Sequence, residues 1–141
     1  MSQFLIRTGV DMLEISRLKN AIERHGRRFS ERVFTPQELA ECRENYASLA
    51  ARFAAKEAVS KALGTGFGLI AWRDVEVERG PSREPLLRLH GEAARRAQEL
   101  GLVTWSLSLS HTQEHAIALV VAVGESPEMH EIEPQEENRV N

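Results

Sequence analysis

The chain has a single cysteine among its 141 residues, Cys42. An internal disulfide is therefore excluded, and with it a stapled secreted fold. Cys42 lies in the polar run Glu41-Cys42-Arg43-Glu44 and reads as an incidental thiol. No apolar run approaches the ~20 residues of a membrane-spanning helix. The opening Met1-Ser2-Gln3-Phe4-Leu5-Ile6-Arg7 lacks the basic-then-apolar layout of a secretory signal. Together these absences predict a cytoplasmic protein. Aromatic residues make up only 6% of the chain, which leaves few faces for stacking bases. His25, His90, His111, His115 and His130 are spread without metal-ligand spacing, so a zinc site is not expected. The chain carries no phosphate-binding P-loop, no dinucleotide fingerprint and no nucleophile elbow.

What is present is enough for one domain with its own core. The net charge of −3 is unevenly spread. From Glu125 onward stand Glu125, Glu128, Glu131, Glu133, Glu136 and Glu137, against Arg139 alone. That tail carries −5, which leaves +2 for residues 1–124. With Pro127 and Pro134 and few large apolar groups, residues 125–141 are expected to be a disordered acidic appendage to a folded domain of 1–124. In the body, Arg17, Lys19, Arg24, Arg27, Arg28 and Arg32 form a basic cluster. It suits either an acidic partner or a solvated helix face. A body charge of +2 is low for a nucleic-acid binder, and no such partner is expected.

The periodicity predicts an α+β fold, with helices packed on a mostly antiparallel sheet. Phe4 to Met12 reads as a strand, and Ile15, Leu18 and Ile22 then recur at helical spacing up to Gly26. Thr35-Pro36-Gln37-Glu38 is a capping box with proline at the first helical position, opening a short helix to about Asn45. An alanine-rich helix follows, to Gly64. Strands are predicted around Val75–Val77 and Leu87–Leu89, a helix over Glu92–Leu100, and an alternating strand over Val103–Ser110. His115–Val123 completes a final hairpin with His111 at its tip.

The alanine-rich helix carries charge where a packed helix would not want it. Leu49, Phe53, Lys56, Ser60 and Leu63 crowd one side of the wheel, with Glu57 and Lys61 one turn apart beside it. Gly64 stands where a left-handed C-terminal cap belongs, before the loop Thr65-Gly66-Phe67-Gly68. Glu57 and Lys61 are either a local ion pair or the walls of a cleft for a cation and a phosphate. Asp11 interrupts Gly9-Val10-Asp11-Met12-Leu13, where it either caps the following helix or binds a cation. Two carboxylates from separate elements, completed by substrate phosphates and waters, suit Mg²⁺.

Three blocks, in this order, resemble one family. They are Gly9-Val10-Asp11-Met12-Leu13-Glu14-Ile15-Ser16-Arg17-Leu18, then Arg52 through Gly66 (Arg52-Phe53-Ala54-Ala55-Lys56-Glu57-Ala58 at its heart), then Leu107-Ser108-Leu109-Ser110-His111-Thr112. The chain from about residue 5 to 123 resembles the small 4'-phosphopantetheinyl transferases that act as holo-[acyl-carrier-protein] synthases. The resemblance implies Mg²⁺-dependent transfer of phosphopantetheine from coenzyme A to a serine of an apo acyl carrier protein. Asp11 and Glu57 match the family's metal ligands. Arg52, Lys61, Gly64 and His111 match coenzyme A contacts, and the resemblance implies that Asp11, Glu57 and Lys61 carry the catalysis. Arg17 and Arg24 match the helix that docks the acidic carrier. A homotrimer with sites between subunits is implied as well. His115 departs from the pattern, standing where many relatives carry an aromatic. The rival expectation is a non-catalytic module binding an acidic protein or nucleic acid through the basic helix.

Overall fold

In a computed structural model, residues 3–126 are described. The chain forms β1 (Gln3–Glu14), α1 (Ile15–His25), α2 (Arg27–Val33), α3 (Pro36–Cys42) and α4 (Tyr46–Leu63). A single 3₁₀ turn, Trp72–Asp74, leads into β2 (Val75–Arg79), β3 (Pro85–Leu89), α5 (Gly91–Leu100), β4 (Leu102–His111) and β5 (His115–Ser126). The fold is α+β, and among the described residues the five strands pair antiparallel: one sheet in the order β1-β5-β4 and a separate β2–β3 hairpin.

Helix α4 is the axis of the molecule. It is buried on nearly every side, from Leu49 to Leu63. Its alanines make this possible, because they let backbones approach. Ala54, Ala55, Ala58 and Ala62 meet Ala116, Ala118, Val120 and Ala122 on the inner face of β5, all buried. The approach is tightest at Gly9 of β1, where a Cβ would sit 1.9 Å from the Ala58 carbonyl oxygen. Any side chain there would force strand and helix apart. α4 is capped at one end by Asn45, whose side chain accepts the Ser48 N–H at 3.0 Å. At the other end Gly64 takes the left-handed conformation, φ 73°. Thr35 and Glu38 form the full reciprocal capping box.

Several boundaries differ from the sequence expectations, each for a local reason. β1 runs on to Glu14, paired in register with His115, so Asp11 lies inside a strand and caps no helix. The first N–H of α1, that of Ile15, is satisfied by the Glu114 carbonyl at 2.8 Å instead. α2 was not foreseen. It is a short polar segment set off by Gly26 at φ 60°, with Phe29 and Val33 four residues apart on its inward side. Arg43, at φ 52°, ends α3 three residues early. His111 closes β4 and pairs with Ala116, and the turn proper is Thr112–Glu114. There Thr112 Oγ1 accepts the Glu114 and His115 N–H groups at 3.3 and 3.1 Å. Cys42 is buried, and burial pushes its thiol above the ordinary range. β5 continues through Glu125 and Ser126, which pair with Phe4 and Gln3. The remainder of the predicted acidic tail, 127–141, lies outside the described residues. Among the described residues, no helix is long and apolar enough to cross a membrane.

Candidate active site

Among the described residues β1 is an edge strand, so on one side its backbone groups have no strand partner there. Lys61 fills part of that gap. Its Nζ donates to the Val10 carbonyl at 2.9 Å and to Asp11 Oδ1 at 3.1 Å. The sequence reading offered Glu57 as its ion-pair partner. The structure instead has Lys61 crossing to β1. Asp11 shares the inward row of β1 with Arg7 and Gly9, because strand side chains alternate. Glu57 faces Asp11 from α4. Burial, then the Asp11 charge, raise its carboxyl above the ordinary range, and Lys61 only partly offsets them. Two carboxylates thus share one exposed ammonium, Lys61 being 53% accessible. The cluster carries one negative charge more than it balances.

The donor set fits a hard divalent cation that keeps most of its own waters. With two carboxylates and no third His, Cys, Asp or Glu grouped with them among the described residues, the remaining ligands of such a cation would be waters and substrate oxygens.

Arg52 and His111 belong elsewhere. Arg52 is 6% exposed. Its Nη1 donates to Glu41 Oε1 and to the Val77 carbonyl, both at 2.8 Å. Beside it opens a cavity of about 230 Å³, lined by Arg79, Arg83, Ser110 and His111 among others. His111 Nδ1–H donates to the Thr112 carbonyl at 3.2 Å, which fixes the ring and leaves Nε2 uncommitted among the described residues. Three guanidinium groups and an imidazole outnumber the Glu78 carboxylate among its lining residues, and with Arg52 already paired to Glu41 it is Arg79, Arg83 and His111 that would attract an anion.

The two clusters lie on opposite flanks of α4. Arg52 and Lys61 are nine residues apart, which at ~100° per residue is half a turn. In the sheet, Asp11 pairs with Ala118 and Ala118 with Leu109, so β5 separates the two sides by ~10 Å. The structure therefore brings Asp11, Glu57 and Lys61 together, and Arg52 with His111, but does not join the two groups within one chain. Gly64, also expected at the site, sits at the end of α4 on the first side, next to Arg7. Arg17 and Arg24 are exposed on α1, seven residues apart and so on one face.

Lys56 was counted among the charges studding α4. It is wholly buried. Its Nζ lies 2.8 Å from Glu38 Oε1, with both side chains at 0% exposure, and donates to the Trp72 and Val75 carbonyls. Glu38 in turn accepts the Thr35 and Val77 N–H groups, each at 2.9 Å. Arg7, Arg79 and Arg83 also border these two groups and are not among the residues expected there. The period of two placed Arg7 on the face of Asp11, and that signal was available. Nothing local marked the two hairpin arginines, which reach the cavity only through the β2–β3 turn.

The family model described as the 4'-phosphopantetheinyl transferase superfamily matches residues 7–120. A holo-[acyl-carrier-protein] synthase of Herpetosiphon aurantiacus is 50% identical over 127 residues, covering 85% of this chain and 100% of that protein. One from Moorella thermoacetica is 49% identical over 125 residues, covering 86% and 95%. Among solved structures, the Helicobacter pylori holo-[acyl-carrier-protein] synthase in complex with coenzyme A superposes with a TM-score of 0.75 at 34% identity, covering 82% and 98%.

Proposed function

The chain belongs to the 4'-phosphopantetheinyl transferase superfamily, and we propose that it transfers the 4'-phosphopantetheine of coenzyme A to a serine of an apo acyl carrier protein, releasing adenosine 3',5'-bisphosphate. The observation that carries this reading is the Asp11–Glu57–Lys61 cluster at the open edge of β1. In the reaction the serine oxygen bonds to the phosphorus bearing the pantetheine arm, and the bond from that phosphorus to the bridging oxygen of the nucleotide breaks. Such transfers depend on positioning and on neutralising charge. Asp11 and Glu57 would hold Mg²⁺, which when bound supplies Lewis-acid stabilisation of the diphosphate charge. Lys61 keeps an ammonium at the same edge, exposed enough to meet a phosphate oxygen. The Arg52–His111 cavity suits a second phosphate of coenzyme A. The exposed Arg17 and Arg24 offer α1 to an acidic carrier.

A homotrimer follows as part of the same proposal. The two half-sites face away from each other within one chain, so a neighbouring copy would bring its Arg52 and His111 to this copy's Asp11 and Glu57. The outward face of the three-stranded sheet supports association: Phe4, Ile6, Val10, Met12, Ile117 and Leu119 are all exposed there.

The test is the intact mass of an apo acyl carrier protein after incubation with this protein, coenzyme A and Mg²⁺. A gain of one phosphopantetheine that is lost on chelation supports the reading. Glu57→Ala should lower turnover at least ~10³-fold, the order seen when a preorganised electrostatic group is removed, with the melting temperature retained. Full transfer by Glu57→Ala would remove Glu57 from the mechanism. No transfer by the wild-type chain to several carriers would return the basic helix to a binding role alone.

A further inference from the structure

Arg7 is the other charged residue on the inward row of β1, which runs Leu5, Arg7, Gly9, Asp11, Leu13. It is half-buried, between exposed neighbours. Its guanidinium lies against the end of α4: a Cβ built on Gly64 would stand 3.0 Å from Arg7 Nη2. Glycine at 64 thus serves twice, supplying the left-handed cap and leaving room for this guanidinium. Arg96, at the same end of α4, has a partner in the Leu63 carbonyl at 3.2 Å, and Arg52 on the opposite flank has Glu41 and the Val77 carbonyl. Among the described residues Arg7 has no ion pair and no side-chain hydrogen bond. The next residue after the cap, Thr65, carries a buried hydroxyl that is also without a partner there. A half-buried cation with five unused donors is costly to keep. The C-terminal dipole of α4 eases the charge but engages none of the fork.

An anion of the right shape would use it. Lys61 and Gly64 are three residues apart in the last turn of α4, ~4.5 Å along the axis, so the Lys61 ammonium and the Arg7 guanidinium belong to the same end of the helix. We propose that Arg7 is a further coenzyme A-contacting residue of this chain, its guanidinium binding the diphosphate on the side opposite the Lys61 ammonium. The proposal rests on the transferase reading for the identity of the ligand. The bidentate fork matches two oxygens of one phosphate, which a lysine at that position would not do.

Calorimetric titration of the Mg²⁺-supplied protein with coenzyme A and with dephospho-coenzyme A tests it, alongside melting temperatures. Arg7→Gln should bind both ligands about 10- to 100-fold more weakly, the size of a lost charge-assisted hydrogen bond. Arg7→Lys should fall between the two proteins, and it carries the test if Arg7→Gln does not fold. In turnover, the rise should appear in the KM for coenzyme A and not in the KM for the carrier. Unchanged affinity with a lowered melting temperature would confine Arg7 to neutralising the end of α4 and overturn the proposal. A loss confined to coenzyme A would place Arg7 on the 3'-phosphate and equally overturn it. If the wild-type chain transfers phosphopantetheine but Arg7→Gln and Arg7→Lys bind as it does, this proposal falls alone. If the wild-type chain neither transfers nor binds coenzyme A, both readings fall.

Discussion

Lys56 and Glu57 are neighbours on one helix and live in opposite surroundings. Lys56 is sealed from water, and its charge is met by Glu38 and two carbonyls, although burial still pulls its ammonium below the ordinary range. The charges packed against it are answered. Arg52 meets Glu41, and Glu76 meets Thr35 at 2.5 Å and His90 at 2.9 Å. Glu57 sits half-exposed beside a second carboxylate, and one ammonium serves both. The satisfied side of α4 holds α3 and β2 in place. The unsatisfied side sets two carboxylates against one ammonium at Asp11 and Glu57 and leaves Arg7 without a partner among the described residues, a condition that a cation and a phosphate ester would relieve together.

If that contrast is right, substitutions on the two sides should differ in sign as well as size. Lys56→Met should cost the most, about 3–5 kcal/mol by denaturant unfolding, because it strands a buried carboxylate. Adding Glu38→Gln should recover only part, since that carboxylate also accepts the Thr35 and Val77 N–H groups. Full recovery would mean that the pair acts as a simple ion pair and not as the hub of a network.

Next in size is Glu76→Gln. Burial alone would raise the Glu76 carboxyl, but the Thr35 and His90 hydrogen bonds outweigh it, so the net shift is downward. A depressed carboxyl stabilises the fold above its unfolded value, and the benefit is lost as pH falls through the folded one. The substitution should therefore cost about 1–3 kcal/mol at neutral pH. That gap should close in acid, below the ordinary carboxylate range.

The smallest effect, and the sharpest, is on Glu57→Gln in metal-free protein. A raised carboxyl costs stability where it is ionised, so this variant should melt slightly above the wild type at neutral pH. The two curves should converge as pH falls below the unfolded value. A variant that melts lower would mean that Glu57 is as well compensated as Glu76, and the contrast would break.

How much of this was legible beforehand depended on whether the signal was local. The capping box at Thr35–Glu38 and the glycine cap at Gly64 are written in a few consecutive residues, and both formed as expected. The alternation of β4 and the hairpin to β5 did so for the same reason. The burial of Lys56 was not legible, since its partner Glu38 lies on another helix and a wheel shows only which side a residue faces. Asp11 looked like a cap because polar residues often end strands. Pairing with β5, which only the folded sheet reveals, carries β1 three residues further. Asp11 and Glu57 pair on their chemistry and by resemblance, but nothing in the sequence shows that they meet, and their proximity becomes visible only with α4 laid across Gly9.

That pairing of β1 with β5 has a consequence for the order in which the protein is made. β1 is synthesised first, yet among the described residues its strand partner is the last to be built, roughly a hundred residues later. Until β5 leaves the ribosome, the strand carrying Asp11 can lean on α4 but has no ladder to join. Contacts so distant in sequence close slowly, after the helices have formed. The nascent chain thus holds both carboxylates well before β5 fixes the strand that carries Asp11 against α4.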